Sequence, residues 1–282
     1  MDTAPEAHPM DTAPGSPPEA AQLLDIAVAV VRPAAELARS MRADGVEGVR
    51  TKSTETDVVT AADHAVERRV IEELRARRPH DAVVGEESGA VDGSDGRVRW
   101  ILDPIDGTVN YLYGIPAYAV SLAAEVDGVV VAGVVRNPVT GDEWTATRGG
   151  GAYHDGRRLT GSRVTELSQS LLGTGFGYDA ARRRHQARVL AQLIPHVRDI
   201  RRIGAASIDL CLAAEGALDA VYEKGLNLWD HAAGGLVAEE AGLRVTGLAG
   251  APPGPDMVLA APAAIHHALH DRLVEFDAAG GP

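Results

Sequence analysis

Nine consecutive residues restrict the fold of this chain more than any other stretch: Trp100-Ile101-Leu102-Asp103-Pro104-Ile105-Asp106-Gly107-Thr108. The apolar run from Val98 to Leu102 reads as a buried strand. It meets two aspartates three positions apart, with a proline between them. Pro104 restricts Asp103 to extended backbone, because its ring clashes with a helical residue in front of it. Gly107 and Thr108 then start a new element. Two carboxylates at one strand end can share a hard cation, and the Ile105 carbonyl between them is a further oxygen donor. A helix starting at Gly107 would turn its free N–H groups toward the same spot and could hold an anion. The competing reading is an Asp-Pro turn with a solvated cap. Asp-x-x-Asp alone favours the turn; the full string favours a site.

Three other segments carry candidate chemistry. Gly85-Glu86-Glu87-Ser88 follows the apolar Ala82–Val84 and offers more carboxylate oxygens, though acidic pairs in loops are commonly just solvated. Trp229-Asp230-His231-Ala232-Ala233-Gly234 opens a helix running toward Glu240, with Asp230 suited to its N-cap. A carboxylate has two oxygens, so capping does not exclude metal ligation. In Lys52-Ser-Thr-Glu-Thr-Asp-Val-Val-Thr-Ala-Ala-Asp63, Thr60 and Asp63 match a capping pair. Asp63 reads equally as that cap partner or as a base that orients a hydroxyl. No His-Glu-x-x-His or similar zinc spacing occurs, and His266, His267 and His270 read as the solvent face of a helix. The acceptors are nearly all carboxylates, which favours magnesium over zinc. A calcium-binding structural domain would need more oxygen ligands in one loop than any segment supplies.

The rest of the chain sets the frame. With 45% apolar but only 4% aromatic residues, the core rests on Ala, Val, Leu and Ile. A net charge of −13 disfavours nucleic acid as a partner, since phosphate backbones are bound through Lys and Arg. It leaves phosphorylated small molecules open, because bound cations supply positive charge locally. Cys211 sits in the apolar run Ile208–Ala214 and reads as a core residue. No stretch is long and apolar enough for a membrane span, and no secretory signal is evident, so the cytoplasm is expected. Residues 1–20 are expected to be a disordered tail. Helical spacing predicts a helix from Ala21 to Met41, kinked or split at Pro33, and another from about Asp63 to Arg77. Ser121–Val126 and Val129–Val135 flank Asp127-Gly128, a hairpin. Strands are expected at Glu143–Thr147, Gly151–His154, Val197–Arg202, Ala220–Glu223 and Met257–Ala260, and helices at Arg182–Leu193, Ser207–Glu215 and Asp230–Ala241. A block of strands followed by alternating strands and helices predicts a layered α+β fold. Residues 21–160 would form a larger α+β lobe and 161–277 a smaller α/β lobe.

Together the four segments resemble the inositol monophosphatase family. The resemblance lies in Trp100 to Thr108, then Trp229-Asp230, with Lys52–Asp63 and Gly85–Ser88 in the family's order and spacing; it spans residues 21–277. Val109 to Pro116 and Gly173 to Tyr178 look like bacterial members. The resemblance implies an αβαβα sandwich shared with sugar phosphatases, usually dimeric through the larger lobe. It implies two to three magnesium ions, inhibition by lithium, and hydrolysis of a small phosphate monoester, foremost inositol monophosphate. By the same likeness, Glu86, Asp103 and the Ile105 carbonyl hold the first ion and Asp103, Asp106 and Asp230 the second, with Glu86 shared by a weaker third. Gly107 and Thr108 N–H groups grip phosphate, while Thr108 and Asp63 activate water. Glu223 meets substrate hydroxyls, and Gly204, Ala205 and Ala206 line the inositol side. Ala205 and Asn227 stand where animal members have threonine and histidine, which leaves the alcohol open. Histidinol phosphate, fructose-1,6-bisphosphate and 3′-phosphoadenosine 5′-phosphate are the alternative substrates. The sequence offers no obvious basic cluster for a second phosphate, which disfavours bisphosphates. A regulatory or binding protein on the same scaffold is the alternative of another class.

Overall fold

The computed structural model describes residues 17–55, 57–91, 93 and 97–282. Helix α1 (Pro17–Asp44) leads into the short pair β1 (Arg50–Thr51) and β2 (Val58–Val59), then α2 (Ala61–Arg77), β3 (Ala82–Gly85), β4 (Gly89–Val91), the long β5 (Val98–Asp106) and the short α3 (Thr108–Tyr113). An antiparallel run follows: β6 (Ala119–Val126), β7 (Val129–Arg136), β8 (Glu143–Thr147), β9 (Gly151–His154) and β10 (Arg157–Arg158). The chain then alternates through β11 (Leu171–Thr174), α4 (Ala180–Leu193), β12 (Asp199–Arg201), α5 (Ala206–Glu215), β13 (Ala220–Glu223), α6 (Leu228–Glu240), β14 (Leu243–Thr246), β15 (Val258–Pro262) and α7 (Ala263–Glu275).

Two sheets and three helix pairs stack in five layers. The larger sheet has the order β10-β9-β8-β7-β6-β5-β3-β4, and the smaller β12-β11-β13-β15-β14. Alternation along each strand splits its side chains between two faces. On the outer face of the larger sheet, Trp100, Leu102, Val120 and Leu122 meet Val30, Val31 and Ala34 of α1 and Val66 and Val70 of α2. On its inner face, Ile101, Ala123 and Val135 meet α5 and α6 through Leu210, Ala213, Ala233 and Val237. The same two helices cover Val221, Val258 and Ala260 of the smaller sheet. That double burial explains why α5 and α6 are apolar nearly all round. Helices α4 and α7 close the outer face with Val189, Leu193, Ile265 and Leu269 against Leu172, Tyr222 and Leu259. Each fully buried Leu or Val in these layers contributes about 1.5–3 kcal/mol. The result is the αβαβα sandwich that the resemblance implied.

Local chemistry explains most boundaries. Asp127 and Gly128 both take positive φ, which matches the twist of the β6–β7 hairpin. Cys211 is free and buried in α5. Four expectations change in α1, α2 and α7. Helix α1 starts at Pro17, so residues 17–20 are helical and Ala20 is buried; the rest of the expected tail, 1–16, lies outside the described residues. Pro33 does not split α1. Pro33 and Ala29, whose carbonyl it cannot satisfy, are both exposed, so the lost hydrogen bond falls on the solvent side of the helix. Helix α2 begins at Ala61, with Thr60 as N-cap and Asp63 in its first turn. His266 is buried, against the expected solvent face, and its Nε2 lies 2.9 Å from the Thr246 hydroxyl.

Strand β5 carries the decisive irregularity. It continues through Asp106 instead of ending at Leu102. Asp103 pairs with Ser121 and Asp106 with Ala119, so Pro104 and Ile105 together oppose Val120. In a regular strand, residues three apart point to opposite faces. The extra residue of this bulge restores the phase, so both aspartates face inward while Ile105 points into the outer core.

Candidate active site

Each candidate carboxylate is delivered to one cleft by a different local device. Strand β3 runs parallel to β5 with Gly85 opposite Leu102, and the Glu86 N–H donates to the Leu102 carbonyl at 3.3 Å. Glu86 therefore leaves β3 beside Asp103, close enough for its charge to raise the Asp103 pKa. Asp103 turns one oxygen to the Ile105 N–H at 3.0 Å. Asp106 reaches across to the middle layer and accepts from the backbone N–H groups of Ala206 (3.2 Å) and Ser207 (2.7 Å), and from the Ser207 hydroxyl. It thus caps α5 from outside, where the free N–H groups of a helix favour a negative charge. Asp230 occupies the first turn of α6, and its Oδ2 accepts the Asn227 N–H at 2.6 Å. The N-cap is Asn227, one turn before the Asp230 that the sequence suggested.

Both readings of Asp63 hold at once. One oxygen accepts the Thr60 N–H (2.8 Å) and hydroxyl (2.6 Å), closing the cap of α2. The other lies 3.1 Å from the Thr108 hydroxyl, at the start of α3. The Thr108 hydroxyl is also 3.1 Å from the Ile105 carbonyl, but its single proton serves one acceptor at a time.

The cleft encloses about 430 Å³. Glu86, Asp103, Ile105, Asp106, Gly107, Thr108, Gly204, Ala205, Ala206, Glu223 and Asp230 all line it. Asp63 stands behind them, fully buried. Asn110 of α3 ties the floor together, donating to the carbonyls of Ala117 (2.7 Å) and Ile203 (2.9 Å). Glu223 ends β13, and Gly175 leaves room for it: a Cβ there would collide with Glu223 Oε1.

So many acids in one cleft raise each other's pKa. Burial holds Asp103 well above the usual carboxylate range, and the charges of Glu86, Asp106 and Asp230 add to it. Burial and Asp106 do the same to Asp230. Burial raises Asp106 against the opposing hydrogen bonds from Ser207, and raises Asp63 against those from Thr60 and Thr108. Glu223 is pushed up to about 8, chiefly by burial, with Arg202 opposing. Burial alone would lower the Lys52 pKa, but Glu86, 2.8 Å from its ammonium, and Glu87 together outweigh this and push it up. Burial and mutual repulsion favour the neutral form of each acid, and positive charge brought into the cleft would favour the ionised forms. The donors are carboxylate and carbonyl oxygens, with no His or Cys among the described lining residues, so the set fits a hard divalent ion such as magnesium.

Several residues escaped the sequence reading. Glu67 accepts the backbone N–H groups of Glu87 (3.0 Å) and Ser88 (2.7 Å) and so fixes the loop that carries Glu86. Its signal was its place four residues after Asp63, on the same helix face. Ser207 had none. Lys52, Arg182, Arg202 and Lys224 also line the cleft. Arg202 by itself is a cation inside the cleft that no basic run announced, so the absence of a clustered basic segment does not count against a second anionic group.

Across residues 19–276 the chain matches the model of the inositol monophosphatase family. The chain belongs to that family. An inositol-1-monophosphatase of Mycobacterium leprae is 45% identical to it, over 94% of this chain and 97% of the relative. A Pseudomonas aeruginosa relative named Nus factor SuhB is 40% identical, over 81% and 86% of the two chains. Among solved structures, the extragenic suppressor protein suhB of Bartonella henselae superposes with a TM-score of 0.84 at 33% identity, covering 89% of this chain and 98% of its own. The family is one of metal-dependent phosphoric monoester hydrolases, and the chain is an enzyme of that class. Among the described residues, no helix is long and apolar enough to cross a membrane.

Proposed function

We propose that the enzyme hydrolyses a small polyol phosphate with magnesium, and that the substrate is myo-inositol 1-phosphate. The observation that carries this reading is the meeting of Glu86 from the end of β3, Asp103 and Asp106 from β5, and Asp230 from α6, beside the Thr108–Asp63 hydrogen bond. Glu86, Asp103 and the Ile105 carbonyl would hold one ion, Asp103, Asp106 and Asp230 a second, and Glu86 would share a weaker third. Bound there, the ions supply positive charge to the phosphoryl and leaving oxygens and lower the pKa of a water.

The protein's own groups do the rest. Thr108 donates its hydroxyl hydrogen bond to Asp63 Oδ1, which leaves the hydroxyl lone pairs to accept from a water and aim it at phosphorus. The N–H groups of Gly107 and Thr108 donate to the phosphoryl oxygens. The water oxygen gives up one proton to solvent as it bonds to phosphorus, the ester bond to the alcohol breaks, and the departing alkoxide takes a proton from solvent. No covalent phosphoenzyme forms. Glu223 hydrogen-bonds the alcohol hydroxyls, and Gly204, Ala205 and Ala206 shape the wall beside them. Homodimer formation through the larger lobe, supported by family likeness alone, and residence in the cytoplasm complete the proposal.

The relative named Nus factor supports a second reading, a regulatory protein on the same scaffold. The full carboxylate set and the Thr108–Asp63 pair favour catalysis. The test is phosphate release from a panel holding myo-inositol 1-phosphate, histidinol phosphate, fructose-1,6-bisphosphate and 3′-phosphoadenosine 5′-phosphate, with magnesium and with or without lithium. Magnesium-dependent, lithium-sensitive turnover led by the inositol ester is expected. A better rate on another ester overturns the substrate, and no release from any ester overturns the catalytic reading.

A further inference from the structure

The six residues after α7 and its C-cap Phe276, Asp277–Pro282, fold back onto the alcohol side of the cleft. The Lys224 ammonium donates to three carbonyls there, those of Ala279 (2.8 Å), Gly280 (2.6 Å) and Gly281 (3.1 Å). An ammonium has three protons, so this side chain has none left for a substrate. His185 Nε2 takes the Asp277 carbonyl at 2.8 Å, and Arg182 Nε the Pro282 carbonyl at 3.2 Å. Ala278 is buried in the same core cluster as Tyr222 and Met257. Residues 277–282 lie beyond the stretch matched by the family model.

The groups that grip this segment also build the cleft wall. Lys224 follows Glu223 directly, and its carbonyl accepts Gln186 Nε2 at 3.2 Å. Gln186 Oε1 in turn accepts the Gly177 N–H at 2.9 Å. The Arg182 side chain runs between the two turns of the wall. A Cβ at Gly177 or at Gly225 would lie 2.7 Å from it. Arg182, Lys224, Gly177 and Gly225 all line the cleft. None of these contacts involves Glu86, Asp103, Asp106 or Asp230.

We propose that Asp277–Pro282 is a positioning strap: through Lys224 and Arg182 it sets the 175–179 and 223–227 turns, and so decides which alcohols the enzyme accepts. This rests on the reading of the cleft as a phosphatase site with Glu223 at its alcohol end. The strap acts on alcohol binding and leaves phosphoryl transfer alone, because its contacts stop at the turns.

Kinetics on two esters test it. One is the polyol phosphate that the full chain prefers in the panel; the other is p-nitrophenyl phosphate, which offers no hydroxyls. Two variants are compared with the full chain, Lys224→Met and a chain ending at Phe276. Both are expected to raise KM for the polyol ester about tenfold, with kcat and p-nitrophenyl phosphate turnover changed less than about twofold. Lys224→Arg restores most of the KM. Equal losses on both esters would show a general folding role and overturn the strap, as would an unchanged polyol KM in Lys224→Met. Should the shortened chain not fold, the point variants decide. Failure of the inositol reading appears in the full chain, whereas failure of the strap appears only in the variants.

Discussion

Replacing Thr108 by alanine separates activation of water from binding. The hydroxyl is buried, with Asp63 Oδ1 and the Ile105 carbonyl each 3.1 Å away. Alanine deletes the only side-chain donor that Asp63 Oδ1 has among the described contacts, and leaves the two Thr60 bonds to Oδ2 in place. A buried acceptor stripped of its donor costs about 1–3 kcal/mol of stability. At roughly 2–4 °C per kcal/mol for chains approaching this size, the variant melts several degrees lower and is still folded at assay temperature. The catalytic loss is larger. A positioned group that manages the proton of the attacking water contributes about 10²–10⁴-fold, or roughly 3–5 kcal/mol of barrier. The phosphate contacts proposed for Gly107 and Thr108 are backbone groups and survive the change. We therefore expect kcat to fall at least a hundredfold while KM moves less than about threefold. Thr108→Ser, which keeps the hydroxyl, should recover most of kcat. Initial rates of phosphate release with saturating magnesium read both constants. A raised KM at unchanged kcat would move Thr108 from activating water to holding substrate and refute the reasoning.

Asp103→Asn removes the charge shared between the two proposed ions, so calorimetric titration should show weaker magnesium binding together with loss of turnover; retained activity would end the metal assignment. Gly175→Ala drives a methyl group into Glu223 Oε1, so Glu223 must turn away, and KM for a polyol ester should rise while p-nitrophenyl phosphate is spared. Trp100→Phe deletes the 2.9 Å bond from the indole N–H to Asp81, and should cost about 1–3 kcal/mol in denaturant unfolding with kcat unchanged. His266 is lowered below 6.5 by burial and by the charges of Arg244, His270 and His267. On acidification the unfolded chain takes this proton first. The stability His266 contributes is therefore present above pH 6.5 and is lost as pH falls from there through its folded value. His266→Gln should melt with a shallower decline between about pH 7.5 and 5.5, by calorimetry, than the parent.

How much of this could be seen in the sequence depended on how local the cause was. The β6–β7 hairpin was legible because Asp127-Gly128 carries its own turn chemistry. The Trp100–Thr108 string was legible as a site because proline, glycine and two acids restrict one another within nine residues. The inward phase of Asp103 and Asp106 was not, since the bulge exists only against the register of β6. Ser207 was invisible for the same reason: its hydroxyl matters through Asp106, a hundred residues earlier. The cap of α6 was misplaced by one turn because Asn227 and Asp230 both have capping chemistry, and only the backbone decides between them. Trp100, the most conspicuous member of its string, lies on the opposite face from the aspartates and anchors the outer core through Asp81. The order of the five layers came from family resemblance, because period-2 and period-3.6 patterns say which faces are apolar but not which faces meet.

The choice between structural cap and functional carboxylate disappears once the oxygens are counted. Asp63 and Asp230 each commit one oxygen to the start of a helix, and Asp103 one to the Ile105 N–H of its own bulge. Asp106 binds two N–H groups of α5. A carboxylate fixed by one such bond has lost its rotational freedom before any ligand arrives. The order is therefore present in the folded chain, and the ordering cost of each acid is met during folding rather than at binding. The same bonds oppose the burial that pushes these acids toward the neutral form. Neither effect requires a rigid scaffold elsewhere, because each acid is held by the element that delivers it. Helix starts and a strand bulge can hold acids in this way because they carry the backbone N–H groups that regular structure leaves unpaired.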